Sequence, residues 1–308
     1  MFSVTFPGQG SQKVGMGSQF YEKFDLFKHH FNEADKILQF PISKIILEGP
    51  QEKLNLTQNT QPAIFLVSYC IYKLLEDEFK FDLSSSSYFA GHSLGEYSAL
   101  SCSKSINFED AIKLLHLRGK AMQSSVPDGE GGMLAVLGID INILEKIIFE
   151  SKLPCYIAND NSHNQLVISG LIKDIKQLIE ILNEKKIKSL NLPVSAPFHC
   201  RLMKYATNIM RSEINKIELK DPVKPLISNV TGKPIQNPIE LKEALINQIE
   251  SRVRWRECVQ YMLKNNINHF IEIGPGKVLT NLIKRIDKNV KVSAINSEDD
   301  INNLLIND

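Results

Sequence analysis

The sequence lacks most of the features that would take it outside the ordinary globular proteins. Its 308 residues hold only five cysteines and one tryptophan. Cys70, Cys102, Cys155, Cys200 and Cys258 stand singly, with no C-x-x-C pair and no Cys/His spacing suited to zinc. A disulfide scaffold and a structural zinc site are therefore excluded, and a reducing, cytoplasmic compartment is expected. Long apolar runs are also missing. The longest, over 64–72, is far below the roughly 20 residues that a bilayer requires. The first residues carry neither the basic head nor the apolar stretch of an export signal, so neither export nor membrane insertion is expected. Net charge is nearly absent: 36 basic and 35 acidic side chains leave a formal +1. That balance removes the broad basic footprint of a nucleic-acid binder.

What is present is a chain that is 43% hydrophobic and long enough to bury a large core. At roughly 100–200 residues per domain the length suggests about two domains. No internal repeat and no linker rich in Pro, Gly or Ser separates them, so a second domain must be inserted or closely packed. The segment 131–195 points to insertion. It reads as a strand over 132–138, a helix over 142–151, strands over 155–158 and 165–169, a helix over 172–184 and a strand over 187–192. Asn159-Asp160-Asn161-Ser162 reads as the turn between the two middle strands. The order βαββαβ is the ferredoxin-like arrangement, here assigned to 125–196. The flanking parts, 1–124 and 197–308, alternate short β-rich runs (2–6, 88–90, 225–229 and 269–273) with helical patterns, as parallel α/β folds do. Catalytic groups in such sheets gather at the carboxyl ends of strands.

One of those ends carries Gly91-His92-Ser93-Leu94-Gly95, a G-x-S-x-G between an apolar strand and a helical run. The spacing puts a serine on a tight turn, with glycines two residues either side so that strand and helix approach closely. The alternative is an ordinary strand-turn-helix glycine pair. In the catalytic reading the helix start aims the Leu94 N–H at the site as an oxyanion donor. His92, beside a nucleophile on a tight turn, is expected to pack or hydrogen-bond away from it. The base must come from elsewhere. His199 stands out, in the irregular Pro193-Val194-Ser195-Ala196-Pro197-Phe198-His199 where the chain leaves the inserted unit. Pro7-Gly8-Gln9-Gly10-Ser11-Gln12 meets neither the dinucleotide nor the P-loop fingerprint, yet a turn at a strand's carboxyl end suits Gln9 as a second oxyanion donor. Arg118 falls within the apolar stripe of a helix opening at Asn107, alongside Leu114, Leu115 and Met122. An inward guanidinium needs an anion, either a structural Asp or Glu or the carboxylate of a substrate.

Five blocks, Phe6-Pro7-Gly8-Gln9-Gly10-Ser11-Gln12, Gly91-His92-Ser93-Leu94-Gly95-Glu96, Arg118-Gly119-Lys120-Ala121-Met122, Ala196-Pro197-Phe198-His199 and Glu272-Ile273-Gly274-Pro275-Gly276-Lys277-Val278-Leu279, occur in this order. Together they closely resemble the malonyl-CoA:acyl-carrier-protein transacylases of bacterial-type fatty acid synthesis. The resemblance implies an α/β-hydrolase-like core with a ferredoxin-like insertion, no cofactor, and malonyl-CoA and acyl carrier protein as substrates. It implies Ser93 as nucleophile, His199 as its base, Gln9 and Leu94 as oxyanion donors and Arg118 as the grip on the malonyl carboxylate. It also implies that a main-chain carbonyl, at the position of Gln248, orients the histidine. Phe198 resembles the version of its motif associated with malonyl preference in related polyketide acyltransferases. An acidic carrier would favour a basic rim, for which Lys185, Lys186, Lys188, Arg252, Arg254, Lys284 and Arg285 are candidates. Two other readings share these residues: a serine hydrolase that delivers its acyl group to water, and a non-catalytic carrier-binding protein.

Overall fold

The computed structural model describes residues 1–307. Strands β1 (Phe2–Phe6) and β2 (Phe89–Gly91) begin a large sheet. The chain then builds a separate sheet from β3 (Gly131–Leu137), β4 (Tyr156–Ser162), β5 (Gln165–Leu171) and β6 (Lys188–Asn191). It returns to the large sheet for β7 (Leu226–Ile227), β8 (Pro234–Ile235), β9 (His269–Ile273) and β10 (Lys291–Ile295). The large sheet has the order β10-β9-β1-β2-β7-β8 and is parallel except for the β7-β8 pair. The second sheet, β4-β5-β3-β6, is antiparallel throughout. The protein is thus α/β, with one mostly parallel and one antiparallel sheet.

The central strands are buried on both faces, polar positions included, with Ser3 and Thr5 of β1 and Glu272 of β9 covered. Val4, Phe6 and Phe89 join the helices Thr57–Asp77 and Phe108–Gln123 in the main core. Ala90, Ile227 and Phe270 meet the helices Trp255–Lys264 and Val278–Ile286 on the other side. In the antiparallel sheet the period of two separates the faces. Leu134, Val136, Leu166 and Ile168 pack under the helices Ile141–Ser151 and Ile172–Glu184, while Met133 and Val167 belong to the main core.

Three expectations are corrected. Asn159-Asp160-Asn161-Ser162 is not a turn: it is the second half of β4, and the chain reverses at His163 and Asn164. Asp160, Asn161 and Ser162 are buried there, and the first two find side-chain partners. Asp160, fully buried, forms a bidentate pair with Arg256 (Nε–Oδ1 2.9 Å, Nη2–Oδ2 2.8 Å), and the backbone pairs with Val253. Tertiary partners overrode the turn propensity of the run. β10 was absent from the expected strands because Lys291 to Ile295 alternates weakly at the sheet edge, and β8 is only two residues long. The strand expected over 225–229 shortens to β7, and Asn229 beyond it turns to the site, its Nδ2 donating to the Gly91 carbonyl.

Candidate active site

Ser93 sits immediately beyond β2, at φ 54°, a left-handed conformation costly for a residue with a side chain. Two glycines make that turn feasible. A Cβ on Gly91 would lie 1.9 Å from the Gly95 carbonyl carbon, and one on Gly95 would lie 2.3 Å from the Phe6 oxygen. The strand, the elbow and the start of the helix Gly95–Cys102 therefore nest backbone on backbone. Asn229 pins the elbow from outside: it accepts the Ser93 N–H at 2.8 Å and donates to the Gly91 carbonyl at 2.8 Å.

His199 comes from the connection after the antiparallel sheet, also in a left-handed conformation (φ 59°). Ser169 on β5 holds the preceding carbonyl, donating to Phe198 O at 2.6 Å. The ring reaches Ser93, with Nε2 2.8 Å from Oγ, and its Nδ1 lies 2.9 Å from the Gln248 main-chain oxygen. A carbonyl oxygen only accepts, so Nδ1 carries the proton and Nε2 is left to accept from the serine. Burial, with Arg118 adding repulsion, holds the imidazole down to about 3, so it is neutral at physiological pH.

Arg118 is 1% exposed and reaches the same point. Its Nη2 donates to Ser93 Oγ at 3.2 Å and to Gln248 Oε1 at 2.7 Å, and Nη1 donates to Gln61 Oε1 at 2.7 Å. Tyr97 packs beneath it, with the ring centroid 5.8 Å from Cζ. No carboxylate touches the guanidinium, and its buried Nε has no partner among the described residues. Of the two expected alternatives, a contacting structural Asp or Glu is therefore not what the fold supplies. Neutral amide oxygens hold the arginine in place without cancelling its charge.

Gln9 and Leu94 line the same cavity, of about 90 Å³, and neither backbone N–H is engaged among the described residues. Met122, Met133, Val194 and Phe198 line it as well. It adjoins, through Gln9 and Val194, an outer cleft of about 630 Å³ bordered by Thr57, Gln123 and Pro193. His92 points away from the serine, as a residue beside a tight turn must: Nε2 lies 2.9 Å from Asn161 Oδ1 and the ring packs on Trp255. The fold thus brings Ser93, His199, Arg118, Gln9, Leu94 and Gln248 to one place. It adds four residues that sequence reasoning did not single out, Gln61, Glu96, Asn161 and Asn229. A glutamate inside the apolar run after the serine and a glutamine beside Pro62 in a buried helix were the available signals; Asn229 had none. Of the candidate basic rim, Lys185, Lys186 and Lys188 are exposed, whereas Arg252 and Arg254 are tied to Glu145 and Glu257.

The pattern of the acyl transferase domain family matches residues 4–300. A malonyl CoA-acyl carrier protein transacylase of Bacillus subtilis is 38% identical over 300 residues, 96% of this chain and 93% of that protein. The chain belongs to that family of transacylases. The Escherichia coli K12 transacylase is likewise 38% identical, over 96% of each chain. Among solved structures of this transacylase family, the acyl-carrier-protein S-malonyltransferase of Bartonella henselae superposes with a TM-score of 0.95 at 40% identity, covering 99% of this chain and 98% of its own. A malonyl transacylase solved in complex with a type II polyketide acyl carrier protein also gives 0.95, at 36% identity over 100% and 99% of the two chains.

Proposed function

We infer that this chain transfers the malonyl group of malonyl-CoA to the phosphopantetheine thiol of acyl carrier protein, through a malonyl-Ser93 intermediate, and so supplies malonyl-carrier for fatty acid synthesis. The observation that carries the reading is the convergence of His199 Nε2 and Arg118 Nη2 on Ser93 Oγ in one cavity, at 2.8 and 3.2 Å from the hydroxyl. His199 takes the Ser93 proton as the oxygen attacks the thioester carbonyl. The tetrahedral oxyanion lies toward the Gln9 and Leu94 N–H groups. The C–S bond then breaks, and the departing CoA thiolate collects the proton from His199. In the second half the carrier thiol gives its proton to His199 and attacks malonyl-Ser93, and the proton returns to Ser93 Oγ as it leaves. A base of this kind contributes about 10²–10⁴-fold and each oxyanion donor about 3 kcal/mol. The route uses only these side chains and no cofactor.

Arg118 supplies selectivity. A malonyl carboxylate meets a guanidinium that no acid contacts among the described residues, whereas an acetyl group would bring no charge to pair with it. Phe198 on the cavity wall, beside His199, supports malonyl over bulkier branched acids. The outer cleft is of a size to take the pantetheine arm. The exposed Lys185, Lys186 and Lys188 suit an acidic carrier. Among the described residues no helix is long and apolar enough to cross a membrane. The sheet carrying the serine elbow is read as an α/β-hydrolase-like core of 1–124 and 197–308. The antiparallel sheet, with order β4-β5-β3-β6 and both helices on one face, supports a ferredoxin-like insertion over 125–196.

Intact-mass measurement after mixing with malonyl-CoA tests the reading. One malonyl adduct is expected, retained in the absence of a thiol, transferred to holo carrier protein, and abolished by Ser93→Ala. Steady CoA release without a thiol acceptor would make the protein a hydrolase, and absence of the adduct would make it non-catalytic.

A further inference from the structure

Glu96 reaches further into the site than its place in the elbow motif suggests. Its side chain is fully buried in the first turn of the helix Gly95–Cys102. Oε1 accepts the Asn229 N–H at 2.5 Å, and Oε2 accepts from Gln248 Nε2 at 2.6 Å. Each of those partners holds reacting groups. Asn229 pins the serine elbow, while Gln248 offers its carbonyl to His199, its Oε1 to Arg118 and its Nε2 also to the Ser93 carbonyl at 2.9 Å.

The direction of this chain is dictated at both ends. Arg118 can only donate and a backbone N–H can only donate, so the two groups between them must accept at both termini. An amide has one accepting and one donating end. Once Gln248 turns its oxygen to Arg118, its nitrogen faces Glu96, which must then accept twice. The ionised carboxylate does so, one oxygen for each donor, and an amide does not.

The electrostatics run the same way. Among the described residues no acid touches Arg118, and Glu96 is a carboxylate that acts on it, one amide away. The titratable groups facing Glu96 are Arg118 on the helix Phe108–Gln123, Tyr97 on its own helix and Cys258 on the helix Trp255–Lys264, with His199 beyond Gln248. Burial raises Tyr97 to about 12, raises Cys258 and lowers His199, so these keep their neutral forms near pH 8. Glu96 differs: burial, opposed by its two donors and Arg118, pushes it up to about 8.

We propose that Glu96 is the positioning residue of this site, fixing the direction of the Gln248 amide and serving as the counter-charge whose place at Arg118 an incoming acyl carboxylate takes over. This rests on the reading that Arg118 grips the malonyl carboxylate. A second negative charge at Arg118 disfavours ionised Glu96, which takes a proton from solvent as malonyl binds.

Calorimetry on the Ser93→Ala protein, which binds without reacting, reads that proton through buffers of different ionisation heat. At pH 8 a rise of one unit corresponds to uptake of about 0.4 proton per site, expected for malonyl-CoA and absent for acetyl-CoA, which carries the same nucleotide. The difference disappears in Ser93→Ala/Glu96→Gln. Equal uptake with both thioesters, or uptake that survives Glu96→Gln, overturns the proposal. In the active enzyme Glu96→Gln lowers malonyl kcat/KM about tenfold or more, mainly through KM, and acetyl kcat/KM less than about threefold, the first corresponding to about 1.4 kcal/mol. An unchanged malonyl-to-acetyl ratio also overturns it. Should Glu96→Gln not fold, the comparison of the two thioesters on Ser93→Ala decides alone. Absence of a malonyl adduct on the wild-type protein is a separate result and removes the functional reading itself.

Discussion

Replacing Arg118 with alanine separates the arginine's work on substrate from its work on structure. The side chain is 1% exposed and directs Nη1 and Nη2 toward Gln61, Gln248 and Ser93, with no acid in contact among the described residues. A substrate carboxylate placed there is a buried ion-pair partner, and removing one member of such a pair costs about 3–5 kcal/mol. At about 1.4 kcal/mol per decade that predicts a loss of roughly 10²–10³·⁵ in malonyl kcat/KM. Acetyl transfer loses only the 3.2 Å hydrogen bond to Ser93 Oγ, about 1 kcal/mol or roughly fivefold. The same substitution strands the Gln61 and Gln248 oxygens, a stability cost of about 1–3 kcal/mol for each. Because both substrates feel that cost, the ratio of malonyl to acetyl kcat/KM is the quantity to report, measured with a common carrier-protein acceptor. A fall of about two decades is expected. Equal losses for the two thioesters would refute a role in gripping the carboxylate.

Other consequences follow from the same geometry. His199 is held down to about 3 by burial, then by Arg118, so malonyl kcat/KM should show no acid limb near 6.5; a limb at that pH would place the base in a wetter site. The sign for stability is definite: between 6.5 and about 3 the unfolded chain takes up a proton that folded His199 refuses, so stability falls as pH falls through that window, as acid-dependent denaturant melts would register. Gly95→Ala drives a Cβ to 2.3 Å from the Phe6 oxygen, against rigid backbone, at a cost of about 3 kcal/mol or more. Wild-type melting and activity in that variant would sink the account of the elbow. Asp160→Asn breaks the buried pair with Arg256 that fastens β4 to the helix Trp255–Lys264; a loss of about 3 kcal/mol in denaturant unfolding is expected, and a neutral effect would assign that contact to packing alone.

Much of the site was legible because its chemistry constrains neighbours along the chain. Gly91 and Gly95 flank Ser93 at a spacing that only a tight strand-to-helix turn requires, and the inward face of the helix Phe108–Gln123 exposed Arg118 as a buried cation. The periodicity of 131–191 likewise declared its alternation of strands and helices. The polar run over 159–162 misled, because turn propensity is a local quantity and burial against Arg256 and His92 is not.

The sequence by itself determined the elements, the turn that strains the serine and the few inward-facing polar residues, since these follow from periodicity, glycine geometry and the cost of burying charge. Only the tertiary structure decided which of them meet. His199 lies 106 residues from Ser93 and Gln248 a further 49 from His199, and no local pattern encodes a distance across two sheets. It decided the arginine's partners for the same reason, choosing amide oxygens over a carboxylate. It also decided the state of Glu96, whose carboxyl is pushed up to about 8 by a burial that a linear chain does not possess.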